Sequence, residues 1–295
     1  MSPTPRFHYD SSPYTPSNIN NYPEIYPSPS EDVCFREETS DGYYQDDEIR
    51  IPKIIMQTWK DRHIPDNWKE SPVSISNHMP RWEYVLMTDE DNREFVSKHF
   101  PDFLPYYDAF PYAIQRADAI RACWLYVKGG IYMDLDFIVQ KPLDPLFRSD
   151  NELYVVPSGN VPTTITNSFM ASKPGCKIWL TYIEEMKKNL PYWAYGKHLK
   201  VMTSTGPLCF SRSIQKWSGV YATLPSKLIM PCSVCTPVCN TEDAYLIPLI
   251  GKSWCGYDSH AMNFGLCNWR ELVIAIVIIV LAILIYIILR KYRYF

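Results

Sequence analysis

The sequence predicts an α/β fold, a single sheet covered by helices, followed by one membrane-spanning helix. Three observations predict it. Apolar runs of strand length alternate with helix-length segments between residue 50 and about residue 270. One of those runs closes on two aspartates, Asp134 and Asp136, at the end of a strand, where open α/β sheets carry their ligand crevice. Leu272 to Leu289 then runs 18 residues without a charge, about 27 Å as a helix at 1.5 Å per residue.

Residues 1–49 carry seven prolines, few aliphatic side chains and an acidic stretch from Asp41 to Glu48. Such a segment buries too little surface to offset its ordering entropy and is expected to be a disordered tail. The region 50–260 is expected to be the one compact unit. Within it Lys53 to Trp59 and Trp82 to Met87 read as strands, Asn92 to Phe100 as a short helix, and Tyr112 to Lys128 as a longer one. Gly129-Gly130 stops that helix, and Ile131 to Asp136 reads as a strand. This alternation points to a mostly parallel sheet. Residues 261–271 are a juxtamembrane linker, 272–289 the span and 290–295 a basic tail. Trp269 lies at one end of the span and Tyr286, Tyr292 and Tyr294 near the other, as interfacial aromatics do.

Charge narrows the function. The net charge is -3. The first 49 residues contribute about -8 and the remainder about +5, with no dense Lys/Arg block, which argues against nucleic acid as a partner. The membrane side is argued both ways. No charged segment followed by an apolar one opens the chain, and none of 13 asparagines begins an Asn-x-Ser/Thr sequon, which favours a cytosolic domain on a C-terminal anchor. Arg290, Lys291 and Arg293 beyond the span would themselves be cytosolic by the positive-inside rule, which opposes it. Nine cysteines exclude a fully paired framework. Cys232, Cys235, Cys239 and Cys255 read as zinc ligands, as free thiols of a turn-rich loop or, on an oxidising side, as disulfides. Cys267 is close enough to the membrane for palmitoylation.

The chemistry concentrates in Arg116-Ala-Asp118-Ala-Ile-Arg121 and Lys128-Gly-Gly-Ile-Tyr132-Met-Asp134-Leu-Asp136. Two residues apart in an extended strand, Asp134 and Asp136 would present carboxylates from one face. Paired carboxylates suit a hard cation, Mg²⁺ or Mn²⁺, that keeps positions for phosphate oxygens and water. Asp118 and Arg121 share a helix face, one able to accept from sugar hydroxyls and the other to fork onto a sugar or phosphate oxygen.

With these motifs the chain resembles glycosyltransferase family 32, the sugar-binding region containing a DXD motif, over about residues 51 to 255. Ile51 to Lys60 is similar to that family's opening strand and Arg116 to Asp136 to its core. Asn167 to Ser172, Thr205-Gly-Pro207 and Gly251-Lys-Ser-Trp254 come after these in family order. The resemblance implies a single-domain glycosyltransferase A-type fold, retention of anomeric configuration, a nucleotide-sugar donor (GDP-mannose or a UDP-hexose) and a glycan, glycolipid or glycoprotein acceptor. It implies Trp59 against the nucleotide base with Gln57 nearby, Asp118, Arg121 and Tyr132 around the donor sugar, and Asp134 and Asp136 as catalytic and metal residues. Ser253 and Trp254 are implied on a loop over the diphosphate, Ser253 also at the metal. Met56 stands where members commonly have histidine, and Ile247 to Ile250 lacks the His or Glu many members place before that loop; Asp258 or His260 is a candidate replacement.

Two further readings stay open. One is a catalytically degenerate membrane protein of this fold that binds sugars or partners. The other is a phosphoryl- or nucleotidyl-transferase, for which no P-loop or related motif is present. Trp179, Tyr182, Tyr192, Trp193 and Tyr195 are candidates for an acceptor groove or for core packing. Seventeen residues separate Trp254 from Leu272, so the mouth of the site is expected near the bilayer, with a lipid-linked or membrane-protein acceptor.

Overall fold

The computed structural model describes residues 50–158, 164–189, 196–233, 235, 239–249 and 256–292. In chain order the elements are β1 (Ile54–Thr58), α1 (Glu70–His78), β2 (Glu83–Met87), α2 (Asp89–His99), α3 (Leu104–Ala109), α4 (Ala113–Val127), β3 (Gly130–Met133), β4 (Phe137–Val139), β5 (Leu153–Pro157) and β6 (Ile165–Ser172). After these come α5 (Ile178–Asn189), α6 (Lys197–Ser204), α7 (Pro207–Lys216), β7 (Ala222–Thr223), α8 (Ser226–Ile229), β8 (Leu246–Pro248), α9 (Tyr257–Cys267) and α10 (Trp269–Tyr292). The expected disordered tail, residues 1–49, lies outside the described residues.

Six strands form one sheet in the order β2-β1-β3-β6-β5-β7, and β4 and β8 pair separately. The sheet is mixed rather than mostly parallel. β1 runs parallel to β2 and β3, and β5 to β7, but β6 lies antiparallel to both neighbours. Sequence alternation foretold the parallel half; only seven residues, 158–164, join β5 to β6, too few for the crossover a parallel pair would need.

Side-chain alternation sends the sheet's two faces into two cores. Met56, Tyr132, Val155 and Met170 pack under α2 to α5 and α7. Ile55, Ile131, Tyr154 and Phe169 pack on the other face with α1, β4, α8 and β8. Gly130 opens β3 at φ 81°, and a Cβ there would sit 2.4 Å from the Ile54 carbonyl oxygen, so only glycine allows β3 to lie this close to β1. Since the chain leaves β1 for β2 on one side and returns as β3 on the other, the C-terminal ends of β1 and β3 flank a topological switch point.

Helix α2 starts at Asp89, three residues before the sequence-predicted Asn92. Thr88 caps it, accepting from the Asp91 amide at 3.2 Å while Asp91 accepts from the Thr88 amide at 2.8 Å. α10 extends the expected span to Trp269–Tyr292, and its apolar side chains are exposed around the whole helix. A helix this long and this apolar on every face suits lipid rather than water.

Candidate active site

β3 ends at Met133, so Asp134 and Asp136 stand on the turn into β4 and not, as the alternation argument had it, on the strand. The cause is the second, two-stranded sheet. Phe137 to Val139 leave β3's sheet to pair with Leu246 to Pro248, so the chain bends between the two aspartates. Neighbouring elements hold the bend. The Asp134 amide donates to the Ser168 carbonyl at 2.8 Å, and the Asp134 carbonyl accepts from Gln57 Nε2 at 3.1 Å. The Val139 amide donates to Ser74 Oγ on α1 at 2.9 Å, and the Leu249 amide donates to the Asp136 carbonyl at 2.6 Å.

Beneath the turn lies a buried charge network. Arg121, on the inward face of α4, contacts Asp118 at 3.1 Å and Asp134 at 3.2 Å, and donates to the Asn167 carbonyl at 2.7 Å. Its guanidinium lies 4.6 Å from the Tyr132 ring centroid, and the Tyr132 hydroxyl donates to Asp134 at 2.5 Å. Asp118 also accepts from Asn167 Nδ2 and Thr205 Oγ1, each at 2.9 Å. Asp118 and Arg121 are each 3% exposed.

Burial pushes the Asp118 carboxyl up to about 6, against the pull of Arg121 and Thr205. Burial also raises Asp134, with Arg121 and the Tyr132 hydroxyl opposing it. Asp136 is pushed up to about 7 by burial and then by the charge of Asp134. For Arg121 the surrounding acidic groups outweigh burial and keep it charged.

Of the residues nominated from sequence, the structure brings Asp118, Arg121, Tyr132 and Asp134 into direct contact and sets Asp136 beside them. Trp59 comes directly after β1. Its ring meets Trp68 edge-on at 4.9 Å, and its indole N–H is buried without an acceptor. Gln57 is fully buried, with each contact internal: it donates to Ser71 Oγ at 2.9 Å and to Asp134 O, and accepts from the Tyr84 hydroxyl at 2.9 Å. Its place is to hold the turn. Met56 is core, in register with Tyr132. Ser253 and Trp254 lie outside the described residues, as do Tyr192, Trp193, Tyr195 and Cys255.

Sequence reasoning passed over the roles of Asn167, Thr205, Ser71 and Ser74. Asn167 and Thr205 belong to motifs singled out for their order alone. Their spacing of 49 and 87 residues from Asp118 leaves no local signal of contact.

The donor set fits a divalent cation in part. Asp134 is already served by Arg121 and Tyr132, but the Asp136 carboxylate meets no side-chain partner among the described residues. Two carboxylates with one unneutralised match a hard cation that takes its remaining ligands from water and phosphate. Among the described residues no third His, Cys, Asp or Glu joins them. Asp258 is engaged elsewhere, accepting from the His198 amide at 2.6 Å and from the Ser259 amide at 2.9 Å. The zinc reading of the cysteines is corrected: Cys232 pairs with Cys239 and Cys235 with Cys267, since the loop folds back onto the end of α9. Cys267 is therefore not a free thiol for palmitoylation.

Residues 65–153, which carry Asp118, Arg121, Asp134 and Asp136, match the family described as glycosyltransferase sugar-binding region containing DXD motif. The chain belongs to this glycosyltransferase family. Among its relatives, inositol phosphoceramide mannosyltransferase 3 of Schizosaccharomyces pombe is 40% identical over 177 residues, 59% of this chain and 48% of that protein. Inositol phosphoceramide mannosyltransferase 2 of the same organism is 34% identical over 242 residues, 78% of this chain and 64% of that protein. The chain thus spans between about half and two thirds of the length of these relatives. Among solved structures it is similar to the PaToxG glycosyltransferase, at 18% identity and a TM-score of 0.45, covering 56% of this chain and 68% of that one. The expected α/β class is borne out, a sheet covered by helices, with one helix of membrane-crossing length after it among the described residues.

Proposed function

We propose that this glycosyltransferase family member transfers mannose from GDP-mannose to an inositol-phosphoceramide-type glycolipid, with retention of configuration. The observation that carries the proposal is the Asp134-Leu135-Asp136 turn, tied through Arg121 to a buried Asp118 at the switch point of the sheet. The choice of sugar and acceptor is supported by the names of the two fission-yeast relatives. Asp134 and Asp136 would hold Mn²⁺ or Mg²⁺, which supplies positive charge against the diphosphate leaving group as its bond to the sugar breaks.

The chain's own residues supply the remainder. Arg121 fixes the Asp134 carboxylate and offsets part of the negative charge that Asp118 and Asp134 place beneath the turn. Trp59, half-buried directly after β1, offers the exposed part of its ring to the nucleotide base. For retention, the acceptor hydroxyl approaches on the leaving-group side and the departing phosphate takes its proton, so no protein base is nominated.

We place the α/β region on the oxidising, lumenal side of the membrane, reversing the cytosolic preference drawn from sequence. Two disulfides support that side, and so do Arg290, Lys291 and Arg293 beyond the span. The second reading, a degenerate binding scaffold, draws on Met56 and on the lack of a third acidic or histidine ligand among the described residues.

The test is mannose transfer by the purified full chain in nanodiscs, with a panel of nucleotide-sugars, Mn²⁺ and inositol phosphoceramide. Turnover of GDP-mannose that disappears in Asp134→Ala/Asp136→Ala is expected. Donor binding without turnover would select the scaffold reading, and turnover of a different donor would correct the sugar.

A further inference from the structure

Helix α9 carries an exposed stripe that the site does not use. Tyr257, His260, Ala261 and Phe264 fall at i, i+3, i+4 and i+7 and all are exposed, Tyr257 at 96% and Phe264 at 63%. Both ends of the helix are held to the α/β region. Ser259 is buried and contacts His198 Nδ1 at 2.8 Å, Asp258 caps the start of α6 through the His198 amide, and Cys267 is bonded to Cys235. Asp258, which is turned to that capping, is the only Asp, Glu, Lys or Arg on α9, so the outward stripe presents rings and methyl groups with no such charge.

The next helix indicates what covers the stripe. Only Asn268 separates α9 from α10, and at φ -116° and ψ 23° it leaves the helical range, so the chain changes direction there; the Asn268 amide still donates to Phe264 O, and the Leu272 amide to Asn268 O, both at 3.0 Å. Trp269, with Arg270 at 5.5 Å from its ring, begins the span as interfacial residues do. Phe264 is five residues before Trp269, about 7 Å along a helix. A bilayer around α10 therefore lies within side-chain reach of α9, and α9 cannot swing away because both its ends are held to the α/β region.

We propose that α9 is a membrane-surface helix that seats Tyr257 and Phe264 in the interface of the bilayer crossed by α10, docking this face of the α/β region on lipid. An uncharged aromatic stripe binds by apolar burial, without demanding anionic lipid. β8, the element before α9, ends where Leu249 bonds to the Asp136 carbonyl. Resting on the function proposed above, docking would thus hold the aspartate turn near the surface where a lipid acceptor presents its head group.

The test uses the full-length protein in phosphatidylcholine nanodiscs, with p-benzoylphenylalanine replacing Tyr257, Phe264, Trp269 or the exposed Glu90 on α2, and counts lipid adducts after illumination. Adducts at 257 and 264 should approach the yield at 269 and exceed that at 90 by about tenfold. A yield at 257 and 264 no higher than at 90, with 269 still reactive, would overturn the proposal. So would adducts to a second copy of the chain in place of lipid. The readout needs no turnover, so an inactive preparation with lipid adducts at 264 would count against the function alone.

Discussion

At Asp136 a half-buried carboxylate sits beside a second carboxylate, with no side-chain cation of its own among the described residues, and its carboxyl is pushed up to about 7. An acid whose pKa rises on folding binds protons more tightly in the folded state. Its stabilising contribution is present below about pH 4, the unfolded value, and is lost as pH rises towards 7. Asp136→Asn should therefore raise the Tm of the metal-free protein above pH 7, with the gain shrinking towards pH 4, as calorimetry over that range would read. The same variant should lower metal-dependent transfer by about 100-fold or more, because its neutral amide oxygen binds a hard cation far more weakly than the carboxylate. Protons and Mn²⁺ compete for one oxygen pair, so Mn²⁺ affinity of the unaltered protein should fall by up to about tenfold per pH unit below 7; titration calorimetry at pH 6 and 8 tests the sign.

At the scale of elements, the turn is aimed by pieces distant in sequence. Gln57 on β1 and Ser74 on α1 bond the backbone on either side of the aspartates, and Ser71 and Tyr84 lock the Gln57 amide. Gln57→Leu removes the donor to the Asp134 carbonyl and should cost about 1–3 kcal/mol. It should also weaken Mn²⁺ binding, whereas Ser71→Ala, which leaves that donor in place, should cost less stability and keep metal affinity close to that of the parent. Paired denaturation and metal titrations separate the two outcomes. Thr88→Ala gives a control outside the site. Loss of the α2 cap should cost about 1 kcal/mol while leaving donor and metal affinities unchanged.

For the whole molecule, two disulfides, a capped helix and a span joined by one residue make the membrane part of the architecture rather than a tether. Phe264→Glu places a charge on the stripe of α9 and touches nothing at the aspartate turn. Donor hydrolysis in solution should stay within about twofold, while transfer to a vesicle-borne lipid should drop by about tenfold. Comparison of soluble and lipid acceptors is the measurement. The lumenal orientation predicts that a protease added outside sealed microsomes leaves the α/β region intact and that thiol labelling of Cys232, Cys235, Cys239 and Cys267 requires prior reduction. Digestion from outside would restore the cytosolic orientation.

Local pattern determined much of this protein before any tertiary contact was known. The strands β1 and β2, helix α4, the Gly129-Gly130 stop and the membrane-crossing helix are all written in apolar spacing and chain-breaking residues, whose physics acts over a few neighbours. Asp118, Arg121, Asp134 and Asp136 were legible for the same reason, being clustered within 19 residues of sequence. Contacts between distant segments decided the rest. The bend at Asp134 exists because β4 leaves the main sheet for β8, over a hundred residues away, and Gln57 faces inward because Tyr84 and Ser71 reach it there. Asn167 and Thr205 complete the cradle of Asp118 across loops that carry no periodic signal. The pairing of Cys235 with Cys267 depends likewise on a chain path, since sulfur atoms bond to whichever partner folding brings within reach.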